Sequence, residues 1–458
     1  MTRTVLATTF TALACFAVPV AAQPPVGADE PRSTAATADD QDADDDATAT
    51  SGRPITMRYF RPLDRRGINV FETSKTAGTE YTGFRIDWNA AFTTQVQSLD
   101  HENTAQPVLV NNVNTNQLAN IGFGFNNSTA NLTLNAQLAR GIRVELTSYL
   151  SSRHHNETWV KGGFLQIDES PFDVAVLNRL MEVVTLKVGH YEINYGDAHF
   201  RRSDNGNAVY NLFVGNYMMD AFTTEIGAEV IAQSHGLLAV GAVTGGEVRG
   251  TVLTPGQRGP SYIGKVGFDR QMRPGLRVRV TGSVYHNGQS INNTLYSGDR
   301  AGSRYYFVLE NPAATESAQF TSGAINPGFR NQVTALQLNP FVKFGGLELF
   351  GVLERAEGKA ASEANTRTFN QQAVDAVYRF AGDALQVGAR YNRVEGRLPG
   401  LSADIDATRW QVGAGWFVTP HILVKAEYVT QKFDGYPATS IRNGGKFNGM
   451  MLEGVVAF

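Results

Sequence analysis

Residues 410–428 read WQVGAGWFVTPHILVKAEY, and this stretch decides the fold. Apolar residues occupy every second position in 410–418 and again in 422–428. Successive side chains of a β-strand point to opposite faces, so each run predicts a strand with one apolar and one polar face. The tripeptide 419–421 between the runs contains a proline and predicts a tight turn. The stretch is therefore predicted to be a β-hairpin.

The same period of two recurs along most of the chain after residue 80. An amphipathic helix would instead repeat its apolar residues every 3.6 positions. The further runs that predict strands include 84–92, 132–138, 142–146, 276–284 and 385–391. The segment 172–181 is different, because its apolar residues have helical spacing and predict a short helix.

The predicted connections alternate between short and long. Tight turns rich in Gly, Pro and Asp are expected at 139–141, 234–236, 271–275, 345–346, 381–383 and 419–421. Longer polar stretches are expected at 99–129, 196–218, 245–260, 287–332, 356–369, 394–406 and 432–445. Short turns at one end and long loops at the other are typical of transmembrane barrels, and hairpin counting predicts about sixteen strands.

Composition excludes several classes of protein. The chain has 458 residues, of which 18% are charged, and its one cysteine, Cys15, lies near the N-terminus. A disulfide framework and a zinc–thiolate site are therefore excluded. A soluble β-sandwich also alternates apolar and polar residues, but about sixteen strands in one meander leave a sheet too large to cover itself. Closure into a barrel removes the sheet edges. It also provides hydrogen-bond partners for the backbone N–H and C=O groups, which lipid cannot do.

The N-terminal residues predict export from the cytoplasm. Residues 1–22 combine Arg3 with an apolar run and small residues before a cleavage site after Ala22, as in a secretory signal peptide. A lipoprotein cleaved before Cys15 is the alternative. Residues 23–52 contain eight acidic residues against Arg32 and predict a disordered tether.

Two further divisions of the chain follow from its sequence. Residues 53–79 carry five arginines and are expected to be either an ordered lead-in or a segment that enters the barrel. Residues 80–458 are expected to form the barrel itself.

The last eight residues, 451–458, read MLEGVVAF and end in Phe458. This ending resembles the C-terminal strand of bacterial outer-membrane barrels, which ends in phenylalanine and is read by the barrel-assembly machinery. The resemblance implies that Phe458 is an assembly signal. It departs from the usual pattern at Val456, where an aromatic residue is more common. The implied location is the bacterial outer membrane, with its lipid and lipopolysaccharide as surroundings.

A barrel of this size encloses an aqueous channel. The sequence resembles the sixteen-stranded bacterial porins. It is loosely similar to the phosphate-selective porin O and P family through Leu186-Lys187-Val188-Gly189-His190-Tyr191 and Tyr195-Gly196. The resemblance implies passive diffusion of small hydrophilic solutes or ions through a homotrimer.

In general porins the third loop forms the constriction of the channel. Here the third long loop is predicted at 196–218, and the candidate constriction residues are Asp197, His199, Arg201, Arg202 and Asp204. We expect the two arginines to face acidic groups across a narrow aqueous gap. The alternative is that both arginines lie on a solvated extracellular loop.

The polar positions of the strands give candidate pore-lining residues. They are Arg143, Glu145, Arg277, Arg279, Arg390, Arg409, Lys425 and Glu427. Cations hold a slight majority among the inward-facing positions, which predicts a weak preference for anions.

Other functions remain as alternatives. We expect no enzyme, cofactor or metal site, and no nucleic-acid partner; none of the eight histidines lies in a nucleophile motif such as G-x-S-x-G. A structural, adhesive or plugged barrel is possible if the loop 287–332, with Tyr305, Tyr306 and Phe307, fills the lumen. A channel for hydrophobic substrates is the remaining alternative.

Overall fold

The computed structural model describes residues 59–75, 81–153, 157–248, 252–315 and 320–458. The predicted signal peptide 1–22 and tether 23–52 lie outside the described residues, and the predicted segment 53–79 is described only in part. Among the described residues, no helix is long and apolar enough to cross a membrane.

Sixteen long antiparallel strands of the described residues form one closed barrel. Each strand pairs with the next, and the last pairs with the first over Ala91–Glu102 and Lys446–Ala457. In chain order they are β1 (Arg85–Glu102), β2 (Thr129–Ala139), β3 (Ile142–Ser151), β4 (Trp159–Ile167), β5 (Val184–Glu192), β6 (Thr224–Ser234), β7 (Leu237–Thr244), β8 (Ser261–Arg273), β9 (Leu276–Asn287), β10 (Gln332–Phe344), β11 (Leu347–Lys359), β12 (Arg367–Phe380), β13 (Leu385–Gly396), β14 (Ile405–Thr419), β15 (Ile422–Asp434) and β16 (Lys446–Ala457).

The predictions of fold class, strand number and hairpin turns are confirmed. The six predicted tight turns join the strand pairs β2–β3, β6–β7, β8–β9, β10–β11, β12–β13 and β14–β15. The predicted helix is α1 (Ala175–Met181), which lies in the β4–β5 connection at the same end of the barrel. His235, at φ 52°, and Gly236, at φ 85°, show why such turns need residues that accept positive φ.

The outer face of the barrel is apolar. Alternate side chains of every long strand point outward, and Trp410 and Trp416 are both 54% exposed. An apolar band of this kind is stable in lipid but not in water. The strand backbones are paired around the whole circumference, so the sheet presents no open edge to the lipid.

The inside of the barrel is largely filled. Three stretches of the described residues lie within it: the N-terminal segment (59–75), the third loop (193–223) between β5 and β6, and the described parts (288–315 and 320–331) of the fifth loop between β9 and β10. The third loop is longer than the predicted 196–218 because β5 ends at Glu192 and β6 begins only at Thr224. The two loops share one buried apolar cluster with the inward side chains of the wall, including Met218, Tyr305, Val333, Val429 and Phe447.

Two short antiparallel strand pairings are also present among the described residues at the long-loop end. Gly124–Phe125 adds two residues beside β1, and Leu109–Val110 pairs with Val113–Asn114 in the first loop (103–128). The predicted loop 99–129 therefore begins later than expected, because β1 continues to Glu102.

Candidate functional site: the lumen of the barrel

The third loop is held against the wall by charged side chains that point into the barrel. Lys425 Nζ donates to the carbonyls of Asn211 and Phe213 at 3.0 and 3.1 Å. Two residues further along the same strand, β15, the Glu427 carboxylate accepts the amide N–H of Val214 at 2.9 Å. These bonds run from side chain to loop backbone, so they fix the path of the loop whatever its own side chains are.

Two arginines on neighbouring strands continue this attachment. Arg409 donates to the carbonyl of Asn216 at 2.6 Å and to that of Gly323, in the fifth loop, at 2.8 Å. Arg390 donates to the Gly215 carbonyl at 3.2 Å while it pairs with Asp375 at 2.7 Å. The candidate lining residues Arg390, Arg409, Lys425 and Glu427 thus contact inserted loops rather than open space.

A buried ion cluster attaches the start of the third loop to β8 and β9. Asp197 accepts from Arg279 at 2.8 Å and lies 2.5 Å from Lys265 Nζ. Arg279 also lies 3.1 Å from Asp269, which pairs with Arg277 at 2.6 Å. Burial would raise the pKa of Asp197, but Lys265 and Arg279 hold it well below its ordinary value.

Arg202 is the centre of a second buried cluster. Its guanidinium pairs with Asp220 at 2.5 Å and with Asp299 of the fifth loop at 2.9 Å, and its Nη1 lies 3.7 Å from Asp204. Burial raises the pKa of Asp220 even against the attraction of Arg202. The expected aqueous gap between the arginines and acids is absent here, because the ion pairs are in direct contact.

Arg201 points to a different part of the wall. It donates to the Asn69 side chain of the N-terminal segment and lies 3.4 Å from Glu348 of β11. His199 contacts Glu192 at 2.9 Å, and burial lowers its pKa. The five candidate constriction residues therefore divide among three clusters, and His199, Arg202 and Asp204 border a cavity.

That cavity, the lower cavity, has a volume of about 270 Å³ and lies along the wall formed by β2 to β6. It extends from Gln233, beside the short β6–β7 turn, to Asp204 of the third loop. Its charged lining residues are Arg61, Glu72, Arg143, Glu145, Lys161, Lys187, Glu192, Arg202, Asp204 and Glu229. Acids and bases are equal in number in this lining, so its fixed charges cancel.

A second cavity, the upper cavity, lies at the long-loop end on the same side of the barrel. It has a volume of about 410 Å³ and is lined by Gln97 of β1, residues 120–122 and 124–127 of the first loop, Ser152 and Tyr306. The turn 204–207 of the third loop, in which Asp204 and Asn207 bridge each other, meets β2 and β3 at Ala130 and Leu150. Along these strands that contact lies between the lining of the lower cavity, which includes Asn131, and the lining of the upper cavity, which includes Asn127.

The turn 204–207 is pressed against β2 and β3. Asn205 Nδ2 contacts the carbonyls of Ala130 at 2.9 Å and Leu150 at 3.1 Å. A Cβ on Gly206 would lie 2.4 Å from the Cα of Ala130, so only glycine allows this approach. Tyr149 donates to Asp204, and Lys161 bridges Asp204 to Glu192. This turn therefore brings the third loop into direct contact with the β2–β3 wall.

Sequence reasoning missed several of these residues. Lys265 occupies a polar position in a run that alternates with Tyr262, Gly264 and Val266, so the period of two could have found it. Glu72 lies in an irregular segment, where no periodicity points inward. Asp220 and Asp299 belong to loops whose path is set by long-range contacts, and the sequence carries no signal for them.

No protein-family model matches the chain, and no curated protein matches it. Solved structures of outer-membrane proteins do. The outer membrane channel DcaP of Acinetobacter baumannii has a TM-score of 0.50 and 10% identity, over 83% of this chain and 99% of that chain. OprB of Pseudomonas putida has a TM-score of 0.49 and 13% identity, over 85% and 99%. OmpT of Vibrio cholerae, in a trimer form, has 0.48 and 12%, over 82% and 100%.

At 10% identity, the likeness to DcaP shows the fold alone. The chain has the fold of the outer-membrane channel proteins, a closed antiparallel barrel of sixteen strands. The resemblance to the phosphate-selective porin O and P family stays a prediction.

Proposed function

We propose that the protein is an outer-membrane channel for passive diffusion of small hydrophilic solutes or ions. The observation that supports this most is the pair of cavities stacked along β1 to β6, on either side of the turn 204–207. This turn is the proposed constriction, with Asp204 and Asn205 at its tip. The charged residues of the lower cavity would set a local field that discriminates permeants by charge.

The ends of the chain fit this proposal. Cleavage after Ala22 would leave the acidic tether 23–52 on the mature chain, and β1 begins and β16 ends at the short-turn end of the barrel, the proposed periplasmic side. The N-terminal segment would then enter the lumen from that side. Its contacts support this path: the N–H of Arg65 donates to Pro420 in the β14–β15 turn at 3.0 Å, and Lys75 Nζ donates to the Val184 carbonyl at 2.8 Å.

The test is single-channel conductance of the refolded mature protein in a planar bilayer with a salt gradient. Stepwise conductance is expected, and a refolded barrel without conductance would contradict the channel. The reversal potential tests the weak anion preference predicted from the strands. The balanced charges of the lower cavity favour a small reversal potential of either sign.

A plugged or structural barrel is the second candidate. Tyr305 and Tyr306 of the fifth loop are buried inside the barrel, and the Tyr305 hydroxyl donates to Glu427 at 2.6 Å. A channel for hydrophobic substrates is the third candidate. It is supported by the buried apolar cluster that the two loops share. The same bilayer experiment separates an open channel from a plug.

Assembly gives a further prediction. Phe458 exchanges two backbone hydrogen bonds with Ala90 of β1, at 2.9 and 2.8 Å, and its ring is exposed. Phe458→Ala is expected to lower the fraction of chains assembled in the outer membrane, measured as the heat-modifiable band on a gel. Phe380→Ala, which removes an outward phenylalanine at the short-turn end of β12, is the control and should assemble normally. Equal assembly of the two variants would contradict a role for Phe458.

Two associations complete the proposal. We expect a homotrimer, which light scattering of the detergent-purified protein would test, and contact with lipopolysaccharide at the long-loop end. The barrel-assembly machinery is the expected partner during insertion.

A further inference from the structure

The side chains of Phe71 and Glu72 occupy a shaped site on the inner wall. The Glu72 carboxylate lies 2.9 Å from Lys265 Nζ and 2.8 Å from an Arg279 Nη, and it accepts from the Asn194 side chain at 3.2 Å. All three partners belong to the wall or to the third loop. A carboxylate is therefore bound here as a ligand would be, by two cations and an amide.

The Phe71 ring fills an aromatic slot beside this carboxylate. Its centroid lies 5.6 Å from that of Phe200 and 5.5 Å from that of Phe341, edge to face in both cases. The guanidinium of Arg279 lies 4.2 Å from the centroid of the Phe71 ring. Edge-to-face rings and cation–π contacts select an aromatic group by shape and charge. Ring and carboxylate together are held by one continuous surface.

The charge balance of this site indicates which kind of ligand it would bind if the side chains of Phe71 and Glu72 moved out. The connected cluster contains the cations Lys265, Arg277 and Arg279 and the acids Glu72, Asp197 and Asp269. Three of each sign make it neutral with Glu72 in place. Without Glu72 the buried cluster carries one uncompensated positive charge, which is costly in a dry environment. The vacated site would therefore favour an anion.

The N-terminal segment is attached in a way that permits its release. Within 59–75, none of the described residues forms a β-strand that adds to the barrel sheet. The one regular element there is the short 3-10 turn Arg65–Gly67. The segment is held by side-chain contacts and by hydrogen bonds to single backbone carbonyls, among them those of Pro420, Phe200 and Val184. Burial would raise the pKa of Glu72, but Lys265 and Arg279 lower it to about 2, so the carboxylate is ionised at neutral pH.

We propose that this site, formed by Lys265, Arg279, Asn194, Phe200 and Phe341, binds small aromatic carboxylates, and that Phe71 and Glu72 occupy it as an internal competitor. A solute carboxylate and the N-terminal segment then exclude each other. One consequence of this inference, that binding of a solute frees the lumen, rests on the proposed channel function. The binding itself is independent of conduction.

The test measures binding of three probes to the full mature chain by titration calorimetry in detergent. Benzoate carries both ring and charge, benzamide lacks the charge, and acetate lacks the ring. In the variant Phe71→Ala/Glu72→Gln, benzoate is expected to bind at least about ten-fold more tightly than in the unchanged chain, because the competitor is gone. Benzamide and acetate should each bind about ten-fold more weakly than benzoate.

Two controls make the result specific. Asp64→Asn removes a carboxylate of the same segment whose charge partner is Arg66, also in the segment, so benzoate affinity should stay that of the unchanged chain. Adding Lys265→Met to the double variant should abolish the gain. Equal affinity for benzoate in the double variant and the unchanged chain, or equal affinity for benzoate and benzamide, would overturn the proposal.

Conductance of the same preparations separates this inference from the channel. If benzoate binds as expected and no variant conducts, the binding site stands and the channel fails. If the unchanged chain conducts and the double variant gains no affinity for benzoate, the channel stands and the binding site fails. The double variant keeps every wall cation, and heat-modifiability of its band confirms that the barrel is folded.

Discussion

Arg202→Met is expected to detach the third loop from its buried ion cluster. Arg202 is 2% exposed and neutralises two acids, the fully buried Asp299 and the largely buried Asp220. Removing one partner of a buried ion pair leaves an uncompensated charge and costs about 3–5 kcal/mol. Because each 1.4 kcal/mol is about a factor of ten, amide exchange in 202–222 should speed up about 100-fold or more.

The destabilisation caused by Arg202→Met should depend on pH in a definite direction. Burial already raises the pKa of Asp220, and loss of Arg202 raises it further. A carboxyl whose pKa is higher in the folded than in the unfolded state stabilises the fold at low pH, and that contribution is lost as pH rises through the folded pKa. The exchange difference between variant and parent should therefore shrink when the pH falls from 7 to 4.

Arg393→Met is the control for this prediction. Arg393 pairs with Asp406, but its side chain is 41% exposed on the outer face. Exposed pairs of this kind contribute at most about 1 kcal/mol, so exchange in the third loop should not change. If Arg202→Met also leaves exchange in 202–222 unchanged, the ion cluster does not hold the loop.

The sequence was sufficient for the barrel because alternation repeats in every strand. In β14 and β15 the apolar face of Trp410 to Val418 and of Ile422 to Tyr428 is the outward face, as the pattern predicted. Register follows from the turns: Thr419 pairs with Ile422 across the predicted turn at Pro420. Such short-range signals need no knowledge of the rest of the chain.

The lumen could be predicted only in part, because its contacts join residues far apart in sequence. The inward direction of Arg279 follows from alternation, but its partners Glu72 and Asp197 come from an irregular segment and a loop. Alternation likewise shows that Lys425 lies on the inward face of its strand. It does not show that a loop carbonyl lies within hydrogen-bonding distance of that side chain. Period two therefore predicts the wall, and long-range charge pairing decides what the wall contacts.

The turn 204–207 provides the sharpest test of the proposed constriction. Asn205 has a φ of 48°, in the region where glycine replaces asparagine without strain. Its side chain bonds β2 and β3 through the carbonyls of Ala130 and Leu150. Asn205→Gly would remove these bonds and leave a gap between the lower and upper cavities. Conduction is limited by the narrowest cross-section, so single-channel conductance should rise about two-fold or more.

Asn112→Gly is the matched control for Asn205→Gly. Asn112 also has a positive φ, 60°, but it lies exposed in the first loop, away from the turn 204–207. Its replacement removes the same side chain from the same backbone conformation and should leave conductance at the parent value. If both variants conduct like the parent, the turn 204–207 is not the narrowest point. The fifth loop or the N-terminal segment would then limit the current, because both lie in the same lumen.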